Sequence, residues 1–346
     1  MKILLVVESH FKEYGGPYSA ITKEIEYLNS RNITNKLIFK TTNHYKYNLD
    51  LNYIIKDFDI VHIYGIWKPF LIKVFFTAKK LKKKIILSPI GALEPWSMSQ
   101  KKLKKKIAWY VYQKQILNNA DIIHATSEIE ARNIRNRDIK TKIEVIAHGL
   151  DVDYDFMPKI KNNKKKKILF FSRIHSKKGL HELISLWKDL KNNFNWELHI
   201  YGPISDINYF NKMISTIQNY NLENSIFYFD SVFDLKKKKE IFKNSDGFIL
   251  PSKSENFGIS IGEALSYGLP VLTTFETPWN IIEQYKAGYI FNFSSEDILE
   301  YLDKFMGLSD QDRYLMSLNA IKLIKENFDS KKIFCLYENL YRKLLQ

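Results

Sequence analysis

The chain has 346 residues, 45% of them hydrophobic, and a formal net charge of +15. That length accommodates two domains of ordinary size, and that apolar content excludes a disordered chain. The single cysteine, Cys335, excludes an internal disulfide framework and a cysteine-built metal site. No apolar run reaches the length of a membrane span, and the run after Lys2 is too short for a signal peptide, so a cytoplasmic protein is expected. The charge points to an anionic partner, whether nucleic acid, an acidic membrane face or a phosphorylated substrate. Part of it is expected to be solvated surface, because Lys, Asn and Ile are abundant together.

In chain order, apolar runs read as strands at Ile3–Val7, Lys36–Phe39, Ile60–Ile63, Ile85–Leu87, Ile122–Ala125 and Ile143–Ile146. Most segments between them carry helical spacing, such as Ile21, Ile25 and Leu28. After the first strand, Tyr14-Gly-Gly-Pro-Tyr-Ser-Ala opens a helix. Gly15 and Gly16 permit close backbone approach, as a tight turn also requires, and Pro17 suits a first helical turn. His62 and His124 stand at strand ends. The segment Ile86-Leu-Ser-Pro-Ile-Gly-Ala-Leu-Glu-Pro-Trp-Ser follows the fourth strand. Its Glu94 is a candidate proton acceptor, or a carboxylate favoured by a helix dipole. Next, Lys101-Lys-Leu-Lys-Lys-Lys-Ile-Ala-Trp-Tyr-Val-Tyr is a basic amphipathic helix with Leu103, Ile107 and Val111 on one face. Such a helix suits an anionic membrane surface; phosphate contacts or plain solvation would use the same charges.

The stretch Asn162-Asn-Lys-Lys-Lys-Lys has no core residues and reads as a linker, dividing the chain into residues 1–160 and 161–330. Strand-like runs then resume at Ile168–Phe171, Trp196–Ile200, Ile226–Phe229, Gly247–Leu250, Val271–Thr273 and Tyr289–Phe291. Strand–helix alternation in both halves predicts an α/β protein of two doubly wound, Rossmann-like domains, with ligands at the carboxyl ends of the strands. In Phe170-Phe-Ser-Arg-Ile-His-Ser-Lys-Lys-Gly-Leu, Ser172 and Arg173 fall at a strand end and Lys178 just before a helix, so both cations can reach an anion there. In Pro251-Ser-Lys-Ser-Glu-Asn-Phe-Gly-Ile-Ser-Ile-Gly-Glu-Ala-Leu, a strand leads into a loop with Glu255. Gly258 then opens a helix that carries Glu263 one turn in. Helix-end amides flanked by two carboxylates suit a diphosphate flanked by hydroxyls.

The Glu-x7-Glu spacing, with the Phe-Gly, the Gly-Glu-Ala and the following Gly268-Leu-Pro-Val, resembles the signature of retaining GT-B glycosyltransferases of family 4. The resemblance covers most of the chain. It implies the GT-B architecture: two Rossmann-like domains facing an interdomain cleft, with a last helix near Lys331–Leu345 packing back on the first domain. By the same resemblance Arg173 and Lys178 hold the donor diphosphate with Ser172 and the segment Asn256, Phe257, Gly258 and Ile259. Glu263 binds the nucleotide ribose, Glu255 binds hydroxyls of the donor sugar, and Glu255, Arg173 and Lys178 are the catalytic residues. Gly15 and Gly16 match the glycine loop near the donor phosphates and the acceptor. The segment after Ile86 resembles the Ser-Pro-His-Gly-Met-Leu-x-Pro-Trp of relatives that build surface polysaccharides, but Ile90 stands where many carry His. His62 or His124 is then a candidate replacement, beside Glu94. Trp67 and Trp96 are candidates to stack on a sugar, or core residues. His148 replaces a common Asn before the hinge, and Asp230 a common Gly near the nucleobase. The Asp151-Val-Asp153 triplet sits at a domain end, which argues against the metal-binding Asp-x-Asp of the other large glycosyltransferase fold.

These readings converge on a hexosyl-type, retaining glycosyltransferase. It would move sugar from a nucleotide-diphospho-sugar to a glycan or lipid-linked acceptor in surface polysaccharide or lipopolysaccharide-like glycolipid synthesis. No metal or other cofactor and no nucleic acid is expected, and the Lys101–Lys106 helix would meet an anionic membrane surface. The alternatives are a sugar-nucleotide epimerase of the same fold, opposed by the Glu-x7-Glu and Arg–Lys pairs, and an anion- or nucleic-acid-binding protein, supported by charge alone.

Overall fold

The structure is a computed structural model that describes residues 1–8, 16–39, 50–160 and 165–346. The chain forms two compact units, residues 1–149 with 330–346 and residues 150–329. In unit 1 the strands are β1 (Lys2–Val7), β2 (Thr34–Phe39), β3 (Ile60–Tyr64), β4 (Lys84–Ser88), β5 (Ile122–Ala125) and β6 (Ile143–Val145). All pair in parallel, in the order β2-β1-β3-β4-β5-β6. Its helices are α1 (Gly16–Ser30), α2 (Leu51–Ile55), α3 (Pro69–Lys80), α4 (Pro95–Ser99), α5 (Lys102–Ala108), α6 (Lys114–Asn118) and α7 (Glu128–Arg135), with a π-helical turn at Trp109–Gln113.

Unit 2 contains β7 (Lys166–Phe171), β8 (Trp196–Tyr201), β9 (Ile226–Phe229), β10 (Gly247–Leu250), β11 (Val271–Thr274) and β12 (Gly288–Phe291). These too are all parallel, in the order β12-β11-β10-β7-β8-β9. Its helices are α8 (Leu180–Trp187), α9 (Ile207–Asn219), α10 (Leu235–Lys243), α11 (Ile259–Ser266), α12 (Ile281–Tyr285), α13 (Ser295–Met306) and α14 (Asp310–Asn327). The last helix, α15 (Ser330–Leu345), belongs to unit 1.

Strands that are covered on both faces need apolar residues on both, which is why they read as continuous runs. In β1, Leu4 and Val6 join one core with Val61, Val74 and Leu87. Ile3 and Leu5 point the other way, into a core with Ile21 and Leu28 of α1 and Phe334, Leu340 and Tyr341 of α15. Helix starts follow their capping residues. Asp206, Asp234, Ser294 and Ser309 each accept a first-turn amide through the side chain.

The expected boundary at 160 is displaced. Leu150 donates its N–H to the Phe328 carbonyl at 2.8 Å, and Asp153 pairs with Lys239 at 3.1 Å, so the segment from Leu150 onward is built into unit 2. Residues 162–164 of the expected linker lie outside the described residues, and its last two lysines, Lys166 and Lys167, are the first residues of β7. In each sheet the strand order reverses once, between β1 and β3 in unit 1 and between β7 and β10 in unit 2. Beyond the carboxyl ends of such strand pairs, doubly wound sheets bind their ligands.

Candidate functional site

In unit 2, the loops leaving β7 and β10 meet at the reversal of strand order. After β7 the chain runs through Ser172 and Arg173 to a short 3-10 turn, Ser176–Lys178, and then to Gly179, from which α8 starts. Gly179 has φ +69°, and a Cβ there would lie 2.1 Å from the Pro251 carbonyl oxygen, so only glycine lets the two loops close on each other. They are also stitched directly. The Lys177 carbonyl accepts from Lys253 N–H at 2.8 Å and from Ser252 Oγ at 3.1 Å. At the centre, Lys178 Nζ donates to Glu255 Oε1, with both residues buried. Burial pushes the Glu255 carboxyl up, but the charges of Lys178 and then Lys177, with hydrogen bonds from Lys178 and Ser252, outweigh it and hold the group below its ordinary value. Glu255 is thus a buried anion.

Around this pair stand the other predicted donor-side residues. Arg173 is exposed, and Ser172 donates its N–H to the Tyr201 carbonyl at 3.0 Å. His175 is held below its ordinary value, by burial first and then by the charge of Arg173. Phe257 is buried against Trp279 and Phe328, and Trp279 Nε1 donates to its carbonyl at 2.5 Å. This packing, with Gly258 left-handed at φ +77°, aims the first turn of α11, where the amides of Ile259 and Ser260 have no carbonyl one turn back. Asn256 is half-buried beside them. Glu263 accepts from Lys238 Nζ of α10 at 2.6 Å, and Lys238 also lies 5.2 Å from the centre of the Phe171 ring. Lys238 was not singled out in the sequence. It is one of four consecutive lysines, and nothing in that run distinguishes the one that turns inward. Asp153 of the Asp-x-Asp triplet is engaged by Lys239 and Lys243.

Unit 1 holds the acceptor-side candidates. Gly15 lies outside the described residues, and Gly16 opens α1. Glu94 is buried at the N-cap position of α4, which contains the half-buried Trp96. Trp67 is part of this loop cluster, its Nε1 donating to the Ala92 carbonyl at 3.4 Å. The expectation for His62 and His124 needs correction. Both are core residues, fully enclosed rather than open to a substrate. They belong to a buried polar chain that links α1, the sheet and α15.

The donors in that chain can be assigned from its ends. The Ile146 carbonyl only accepts, so His124 presents Nε2–H to it, at 2.8 Å. His124 Nδ1 then accepts from Ser88 Oγ at 2.7 Å, and Ser88 accepts from His62 Nε2 at 2.7 Å. His62 Nδ1 therefore accepts from a tyrosine, with Tyr341 at 2.7 Å and Tyr64 at 3.0 Å. Both tyrosines also contact Glu24, Tyr64 at 2.5 Å. A protonated Glu24 completes the chain, donating to the hydroxyl that donates to His62 and accepting from the other. Its carboxyl is accordingly raised to about 7, by burial, against the hydrogen bonds of Tyr341 and Tyr64. Burial lowers His62 well below its ordinary value and takes His124 to about 4 and His148 to about 3.

Two doubly wound parallel sheets are the architecture of GT-B glycosyltransferases, and the comparisons with known proteins place the chain in that class. The chain belongs to glycosyltransferase family 4. The family model described as Glycosyltransferase Family 4 matches residues 23–154, and that described as Glycosyl transferases group 1 matches residues 153–322. The chain is 27% identical over 262 residues to an uncharacterized 41.2 kDa protein in the cps region of Klebsiella pneumoniae, covering 71% of this chain and 69% of that one. Among solved structures, Anabaena Alr3699/HepE in complex with UDP and glucose matches with a TM-score of 0.78 at 16% identity, over 99% of this chain and 100% of that one. The lipopolysaccharide outer core galactosyltransferase WaaB, in its apo form, matches with a TM-score of 0.71 at 19% identity, over 99% and 100%.

The Glu24 assignment has a definite sign. A carboxyl raised from 4.5 to about 7 on folding contributes stability that is full below 4.5 and is lost as pH rises through about 7. Glu24→Gln reproduces the protonated form at every pH. Relative to wild type the variant should gain stability between pH 5 and 8, by up to about 3 kcal/mol. Thermal unfolding midpoints across that range check this; a wild-type–variant difference independent of pH would contradict the assignment.

Proposed function

We propose that the protein is a retaining, hexosyl-type glycosyltransferase that uses a nucleotide-diphospho-sugar and a glycan or lipid-linked acceptor, in surface polysaccharide or glycolipid synthesis. The observation that carries this reading is the buried Lys178–Glu255 pair at the point where the strand order of unit 2 reverses. Glu255, held ionised, is suited to accept hydrogen bonds from donor-sugar hydroxyls. Lys178 and Arg173 offer cations, and the first turn of α11 offers amides, to the diphosphate. Glu263, fixed by Lys238, is suited to the ribose hydroxyls. The UDP and glucose of the Anabaena complex, and the similarity to a lipopolysaccharide outer core galactosyltransferase, support the donor and pathway class.

In the reaction so read, the acceptor oxygen attacks the anomeric carbon on the face that the diphosphate leaves. The bond from that carbon to the phosphate oxygen breaks, the bond to the acceptor oxygen forms, and the acceptor proton passes to the departing diphosphate. Arg173, Lys178 and the helix-end amides stabilise the charge that grows there, with no metal assigned a role. Unit 1 supplies the acceptor side through Gly16, Glu94 and Trp96.

The acceptor is read as membrane-borne because of the surface that follows Trp96. Leu103, Ile107, Tyr110 and Val111 are 72%, 57%, 73% and 69% exposed, at spacings that share one helical face. Lys101, Lys102, Lys104 and Lys106 around them are exposed as well. Bare apolar side chains ringed by lysines fit the headgroup region of an anionic bilayer.

Three measurements test this. Glu255→Gln removes the charge but keeps the shape, and should cut transfer by about 100-fold or more while the circular dichroism spectrum is unchanged. Product NMR with the wild type should show the anomeric configuration of the donor kept; inversion, or full activity of Glu255→Gln, contradicts the assignment. Separately, the protein should co-sediment with phosphatidylglycerol vesicles and much less with phosphatidylcholine vesicles, and Ile107→Ser with Tyr110→Ser should abolish the difference. Equal partitioning of wild type and variant would remove the membrane assignment.

A further inference from the structure

One buried carboxylate of unit 1 is unused by this mechanism. Glu130 stands three residues after Ser127, the N-cap of α7, and its N–H donates to Ser127 Oγ at 3.1 Å. The Ser-x-x-Glu spacing is that of a capping box, in which the glutamate would reach back to the N–H of its own cap residue. Glu130 reaches further. Its Oε2 accepts from Thr126 N–H at 2.8 Å and from Thr126 Oγ1 at 3.0 Å. Its Oε1 accepts from the N–H of Gly91, in the loop after β4, at 2.7 Å.

That loop is strained. Ile90 has φ +49° and Gly91 φ +70°, two left-handed residues in succession, the first of them β-branched. A β-branched residue in that region costs on the order of 1–3 kcal/mol and persists only where its surroundings hold it. The turn has its own backbone bonds, Ala92 N–H to the Pro89 carbonyl and Glu94 N–H to the Gly91 carbonyl, both at 3.2 Å, and side chains hold three further groups. Glu130 takes the Gly91 N–H. The Ala92 carbonyl accepts from Trp67 Nε1 at 3.4 Å and from Ser97 Oγ at 3.2 Å. The Leu93 carbonyl accepts from Arg137 Nη2 at 3.1 Å. The next residue is Glu94. Its charge helps raise the Glu130 carboxyl, which burial has already pushed up, to about 7. The two carboxyls therefore feel each other.

We propose that Glu130 is a positioning residue for the acceptor side: by clamping the Gly91 amide it holds the left-handed turn at Ile90–Gly91 and so sets where Glu94 stands. This rests on the reading of Glu94 as the residue that meets the acceptor hydroxyl. Glu130 itself touches no substrate in this scheme.

The test separates the clamp from helix capping and from the activity itself. Amide hydrogen exchange at Gly91 is followed in wild type, Glu130→Ala, Glu130→Gln and Ser127→Ala, and the KM values for acceptor and donor are measured in parallel. In Glu130→Ala, Gly91 exchange and acceptor KM should each rise about tenfold or more, the equivalent of one hydrogen bond to a charged acceptor, while donor KM stays within about twofold. Glu130→Gln keeps one acceptor oxygen in place and should fall between Glu130→Ala and wild type, which keeps the test valid if the alanine variant does not fold. Ser127→Ala weakens the cap of α7 but leaves the clamp, and should change neither quantity. Unchanged Gly91 exchange in both Glu130 variants overturns the proposal, and so does an equal rise of acceptor KM in Ser127→Ala. If the wild type transfers sugar to no acceptor, the reading of Glu94 fails, and the exchange data still decide whether the clamp exists.

Discussion

The buried contact between Lys178 and Glu255 constrains everything around it. Taking two charges out of water costs several kcal/mol each, and their attraction seldom repays more than that cost, so such a pair is poorly explained as a stabiliser. What it does is fix the loops after β7 and β10 against each other. The absent Cβ at Gly179 and the stitches to the Lys177 carbonyl serve the same closure. With the loops joined, a cation, a carboxylate and the start of α11 converge at the reversal of strand order. An anionic ligand arriving there finds its partners already desolvated and oriented, which is where fixed charges act most strongly.

Unit 1 solves a related problem without ions. The run from Glu24 through Tyr341, His62 and Ser88 to His124 is buried and can be satisfied from end to end while every group is neutral. A wholly apolar seam would hold α15 as well. A polar chain adds direction, because each donor must meet its acceptor, and α15 can then seat in one register only. Two left-handed non-glycine residues stand at the rim of the same sheet, Trp67 at φ +74° and Ile90 at φ +49°, and Gln113 of the π-helical turn accepts from Trp67 N–H at 3.2 Å. A rigid, directional base beneath strained loops is the arrangement expected of a binding surface.

The fold was legible because of burial. Parallel strands covered on both faces must be apolar throughout, so all twelve appeared as runs such as Ile3–Val7 and Gly247–Leu250, with ends within two residues of those observed. The placement of Glu255 in a loop and Glu263 one turn into a helix was legible because a loop, a glycine cap and a helix follow one another in a single stretch. What stayed hidden depends on contacts between distant residues. His62 looked like a site residue because nothing local reveals Tyr341 of α15 as its partner. Glu130 drew no notice in the sequence because its partner Gly91 is on another loop. Lys166 and Lys167 read as linker because lysines at the start of a strand carry no apolar signal. Lys238 was lost among its neighbours, which share its residue type but not its orientation.

The central claim is that the joined loops of unit 2 form the seat of a nucleoside diphosphate. The most direct measurement is calorimetric titration with a panel of nucleoside diphosphates, in chelator, against wild type and Arg173→Ala. Arg173 is exposed, so its removal leaves the buried pair intact. The account predicts binding of at least one diphosphate by the wild type, weakened about tenfold or more in the variant, as expected for the loss of one charge-assisted contact. Failure of every diphosphate to bind, or equal affinity in both proteins, would contradict it.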